Sequence, residues 1–114
     1  MLNLYIAVAM FTGAALLGIF IYSRWFKKND APKMVIYAHG IFAITGLVFL
    51  FAQMMRQPDN YPQISAIFFP IAAVGGLYLF YRNQLKKKYP VGVATVHMLL
   101  AVIGYATLLI YVFG

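Results

Sequence analysis

Four long apolar runs, at 3–26, 32–56, 62–85 and 90–113, take up nearly the whole chain, and short polar segments separate them. Each run is long enough for a membrane crossing, which needs about 20 apolar helical residues for a hydrocarbon core of ~30 Å. The polar breaks read as helix ends. Lys27-Lys28-Asn29-Asp30 leads to Pro32, Arg56-Gln57-Pro58-Asp59-Asn60 leads to Pro62, and the lysines at 86–88 with Tyr89 lead to Pro90. Proline suits a first helical turn, where its missing N–H is not needed. Loops this short make neighbouring helices antiparallel. The pattern therefore predicts an all-α membrane protein, a single domain over 1–114, forming an up-down-up-down bundle of four transmembrane helices. Tyr22 and Trp25 are expected at the headgroup boundary, where amphipathic rings are enriched.

The pattern also repeats. A displacement of 58 residues lays 1–56 on 59–114 with 13 identities in 56 positions and no gap. In the second run of each half, Pro32/Pro90, Val35/Val93, His39/His97, Ala43/Ala101 and Gly46/Gly104 coincide. Counted from the histidine these fall at −7, −4, 0, +4 and +7, one stripe along a helix. In the first run Phe11/Phe69, Ala14/Ala72, Ala15/Ala73, Gly18/Gly76 and Arg24/Arg82 also match. Apolar composition does not bring Pro, His, Arg and Gly into register. The expectation is a duplicated helical hairpin, with internal repeats 1–56 and 59–114. An even number of crossings per unit puts the repeat axis along the membrane normal.

Composition narrows the function classes. The chain is 64% hydrophobic and only 10% charged, and it contains no Glu; soluble domains carry about 25% charged residues. The net charge of +7 comes from two clusters, Arg24, Lys27, Lys28 and Lys33, then Arg82, Lys86, Lys87 and Lys88. These flank spans and lack an extramembrane domain to present them to nucleic acid, so no nucleic-acid partner is expected. The loop between runs two and three is neutral. Cytoplasmic loops carry the excess of Lys and Arg, which predicts basic loops in the cytoplasm and both termini outside. The first run has its basic residues after it, unlike a cleaved signal peptide, and a bacterial inner membrane is the expected location. With no Cys, disulfides, iron–sulfur clusters and thiolate-bound or covalent haem are excluded. The spans hold no carboxylate, which argues against a zinc site, a proton-coupled exporter and a hydrolytic triad.

What remains is the histidine pair. An ionisable side chain inside a span is costly enough to suggest function. His39 and His97 each lie seven residues past a proline, ~10 Å into the bilayer at 1.5 Å per residue. Helices two and four should run parallel on a diagonal, so the imidazoles face each other at one depth. Axial ligation of one haem b per chain fits that placement; a helix–helix hydrogen bond to Ser, Thr or a backbone carbonyl is the alternative. Gly18 and Gly76 lie six residues before Arg24 and Arg82, roughly 9 Å inward and level with the histidines. With Gly46 and Gly104 they would leave room for a porphyrin, or simply let helices approach closely. Arg24 and Arg82 at the rim suit the two propionates, or anchor topology.

These features, carried by Pro-x6-His-x6-Gly occurring twice, make the whole chain resemble the membrane b-type cytochromes. Larger members of that group carry two histidine pairs and two haems, whereas this chain has one pair. The resemblance implies low-spin bis-histidine haem b and one-electron transfer. Quinone is a partner that the resemblance allows, and the expected role is an electron-transfer module, alone or oligomeric, that could serve with other respiratory-chain subunits as part of a membrane oxidoreductase. Two further readings compete: a cofactor-free accessory or assembly subunit, and a haem transport or sensing protein.

Overall fold

The structure is a computed structural model describing residues 1–86 and 89–114. Lys87 and Lys88, and their share of the charge expected in the last loop, lie outside the described residues. The described residues form four helices: α1 (Leu2–Phe26), α2 (Lys33–Arg56), α3 (Gln63–Gln84) and α4 (Val91–Phe113). The apolar runs locate every helix end to within one residue. Pro32, Pro62 and Pro90 stand at the N-caps, and their carbonyls accept the first helical bonds, from Ile36 (3.2 Å), Ala66 (3.0 Å) and Ala94 (2.9 Å). At the other ends, Lys28 and Lys86 adopt left-handed backbone, φ 60° and 53°. There Lys28 N–H reaches the Trp25 carbonyl (2.9 Å) and Lys86 N–H that of Asn83 (3.0 Å), closing turns where glycine is the usual residue.

All four helices are long and apolar enough to cross a membrane. The long axis measures 43 Å, against about 40–45 Å for a bilayer with its headgroups. Leu16, Ile19, Ile41, Ile44, Ile67, Ile71, Leu99 and Val102 face outward at mid-helix, which fits lipid contact. Inside the bundle, α1 packs on α2, α3 on α4, α1 on α4 and α2 on α3. Among the described residues no Cα of α2 comes within 8 Å of α4, nor any of α1 of α3. Those two pairs are the diagonals.

The apolar core is in two pieces. Leu4, Ala7, Phe11, Leu50, Phe69 and Leu108 form one cluster; Ile21, Trp25, Ala31, Ile36, Leu79 and Ala94 form the other. Each draws on all four helices. Every buried residue described in 59–114 stands 58 places after a buried residue of 1–56. Pro62, Ser65, Phe69, Ala72, Leu79, Ala94, Gly104 and Leu108 correspond in this way to Leu4, Ala7, Phe11, Ala14, Ile21, Ile36, Gly46 and Leu50.

The first cluster is topped by a stacked pair. The Phe11 and Phe69 rings lie 3.8 Å apart with planes 5° from parallel. A Cβ placed on Gly46 would come within 2.9 Å of the Phe11 ring, and one on Gly104 within 3.1 Å of Phe69. Because each ring is held from both sides, it has nowhere to yield. Gly46→Ala should destabilise the bundle by about 1–3 kcal/mol, the usual cost of an overpacked core. Adding Phe11→Leu to the same chain should restore most of the loss. A double-mutant cycle by denaturant unfolding in detergent measures this coupling, and strict additivity would contradict the proposed contact.

Candidate functional site

Between the two core clusters lies a layer of small and polar residues, with the histidines in it. Neighbours α1 and α3 each supply a notch. His39 Nδ1–H donates to the Ala14 carbonyl at 2.8 Å, and His97 Nδ1–H donates to the Ala72 carbonyl at 2.7 Å. A carbonyl oxygen can only accept, so Nδ1 carries the proton in both rings. In a neutral imidazole that leaves Nε2 with its lone pair. Each alanine carbonyl has two lone pairs and so serves its own helix and the imidazole together.

One turn on from each alanine stands a glycine, and its missing side chain makes the notch. A Cβ on Gly18 would lie 3.0 Å from His39 Cε1, and one on Gly76 would lie 3.1 Å from His97 Cε1. Both histidines are half-buried. Across the diagonal the two imidazole centroids are 6.3 Å apart, with planes at 77°. Two metal–nitrogen bonds of about 2.0–2.1 Å, with each nitrogen roughly 1 Å from its ring centre, would put the centroids about 6 Å apart. The spacing therefore fits one metal ion shared by both rings. Among the described residues no cluster of three or more His, Cys, Asp and Glu could hold a metal. Two protein ligands suffice only where the cofactor brings its own equatorial nitrogens, as a haem does. His39 and His97 are the residues that would hold such a group.

The other sequence-predicted residues fall in different places. Gly18 and Gly76 touch the histidines, whereas Gly46 and Gly104 face Phe11 and Phe69 two turns further along. Arg24 is exposed, and its Nε donates to the Asp30 carbonyl at 2.7 Å, holding its own loop. Arg82 donates from Nη1 to the Tyr78 hydroxyl at 3.1 Å. Its guanidinium carbon stands 5.9 Å from the centre of the Tyr78 ring.

Trp25 corrects an expectation. It does not offer its face to headgroups; it is 5% exposed, inside the second core cluster, with Tyr89 at 6.1 Å. Its helix carries it inward because Ile21 and Trp25 share one face of α1. The indole Nε1 is shielded from solvent and has no hydrogen-bond partner among the described residues, an arrangement that costs about 1–3 kcal/mol. The residue has no identical counterpart in the second half, so the repeat register gave no hint of its place.

Outside the spans, Tyr89 donates its hydroxyl to the Asp30 carboxylate, joining the two loops at this end. That bond holds the Tyr89 phenol above its ordinary value, since losing the proton would set two negative charges side by side. A raised folded-state value means the link is complete at neutral pH and is lost as pH climbs through that value. Asp30→Asn should return the Tyr89 titration toward the ordinary phenol value of about 10. NMR of ring-labelled tyrosine reads this directly, and an unmoved titration would contradict it.

Comparison with protein-family models, with curated proteins and with solved structures gives no match.

Proposed function

We propose that the chain is a small integral-membrane b-type cytochrome that binds one haem b between His39 and His97 and passes single electrons. The observation that carries this reading is the histidine pair itself: two rings 6.3 Å apart, each pinned through Nδ1 and so keeping Nε2 for a metal. A metal-bound histidine almost always donates its other N–H to a carboxylate, carbonyl or water, which fixes tautomer and orientation. A haem b held by His39 and His97 would supply one-electron transfer. Ala14 and Ala72 orient the rings, Gly18 and Gly76 admit them, and the surrounding apolar residues keep water out.

In the same reading the bundle runs up-down-up-down and descends from a duplicated hairpin. The recurrence of buried positions at 58 residues supports the duplication. Clusters that join the start of α1 to the end of α2 and of α4 support the topology. Basic loops face the cytoplasm of a bacterial inner membrane, and quinone or respiratory-chain subunits are the proposed redox partners. The test is a reduced-minus-oxidised spectrum of protein purified from haem-replete cells. Six-coordinate haem b supports the proposal; colourless protein that stays colourless with added haem rejects it.

One observation favours a second reading. The histidine–carbonyl bonds would clamp α2 to α1 and α4 to α3 without any metal, at about 0.6 kcal/mol each. The chain would then be a cofactor-free accessory subunit. The two readings part on Nε2, which the clamp does not use.

A further inference from the structure

We propose that the indole N–H of Trp25 is the hydrogen-bond donor to a carboxylate of the bound cofactor. This inference rests on the haem reading and deepens it by naming a second contact. Trp25 is 5% exposed and its Nε1 is shielded without a partner. Neither acid of the chain is its partner. Asp30 and Asp59 are the only acids; the Asp30 carboxylate takes the Tyr89 hydroxyl, and Asp59 lies in the loop at the opposite end of α2 and α3.

The level is right as well. Trp25 packs in one cluster with Ile36 and Ala94, each three residues before a histidine on its own helix, about 4.5 Å at helical rise. Trp25 therefore packs about a turn of helix from the level of the imidazoles, on the side of the basic loop that holds Arg24, Lys27, Lys28 and Lys33. A positive rim and an unpaired buried donor together favour an anionic acceptor. A haem carries its carboxylates at one edge, and Trp25 is the residue that would hold that edge. Arg24, tied through Nε to the Asp30 carbonyl, keeps the loop over that edge. The sequence alone placed Trp25 among lipid headgroups and assigned the carboxylates to arginine.

The test compares ferric protoporphyrin IX with its dimethyl ester, which has the same ring and iron but no free carboxylate. Trp25→Phe should weaken binding of the acid about tenfold, one charge-assisted hydrogen bond, and change binding of the ester by less than about twofold. Equal weakening of both porphyrins, or of neither, would overturn the contact while leaving bis-histidine ligation standing. Trp25 is the only tryptophan, so ultraviolet resonance Raman of the unmutated protein reads its N–H without any variant. The hydrogen-bond band should shift with the acid and stay put with the ester. A shift in phosphatidylglycerol vesicles without porphyrin would assign the acceptor to lipid phosphate and reject the proposal. If the unmutated protein gives no bis-histidine spectrum with either porphyrin, the haem reading fails and this contact fails with it.

Discussion

Asparagine in place of His39 or His97 is expected to abolish the six-coordinate haem b spectrum while the bundle stays folded. Asparagine is chosen because its amide nitrogen stands close to where Nδ1 stood. The hydrogen bonds to the Ala14 and Ala72 carbonyls, 2.8 and 2.7 Å long in the native protein, can then persist, while the Nε2 lone pair is gone. Apo-protein stability should fall by less than about 1 kcal/mol, since an interhelical hydrogen bond in a membrane averages near 0.6. The clamp reading predicts the same small change in stability and no spectrum to lose. Unfolding in detergent and a reduced-minus-oxidised spectrum, measured on the same preparation, separate the two. Retention of the bis-histidine spectrum in either variant would refute the ligand assignment.

The second large effect belongs to Gly18 and Gly76. With a bare Cβ already 3.0 or 3.1 Å from an imidazole Cε1, leucine at either position has to occupy the ring's own place. Gly18→Leu should push His39 out of its notch, break its bond to Ala14 and reduce haem per chain at least about tenfold, the equivalent of ~1.4 kcal/mol. Overpacking adds its own destabilisation of about 1–3 kcal/mol. Gly40 and Gly92 supply the control, because nothing stands within 4 Å of a Cβ at either. Gly40→Leu and Gly92→Leu should leave haem content and unfolding midpoint near those of the native protein. Equal haem content in Gly18→Leu and Gly40→Leu would remove the notch from the proposal.

The repeat in the sequence is reflected unevenly in the packing. Thr12 pairs with the Tyr105 hydroxyl at 2.5 Å, and Tyr22 with Thr95 at 2.7 Å, both between α1 and α4. The matching seam between α2 and α3 has Leu47 and Pro70 in place of the first pair, and Tyr37 against Phe80, 5.9 Å apart, in place of the second. Ser65, which replaces Ala7, is fully buried and donates to the Gly104 carbonyl at 2.9 Å. The two halves of the chain thus share apolar positions and histidines but differ in the hydroxyls that join them.

The sequence by itself determined the helices and their ends, because apolar run length, prolines and lysine clusters act within a few residues of themselves. It also put His39 and His97 on corresponding faces, because the stripe at −7, −4, 0, +4 and +7 about each histidine follows from helical period alone, although of that stripe only Gly46 and Gly104 are buried. Tertiary structure alone decided what those rings touch. The acceptors are main-chain carbonyls of Ala14 and Ala72, and every residue has a carbonyl, so no residue type marks them in advance. Tertiary structure also decided that Trp25 turns inward with Ile21 and that Gly46 receives Phe11. Both depend on how far α1 is rotated against its neighbours, which is set by contacts made across the bundle.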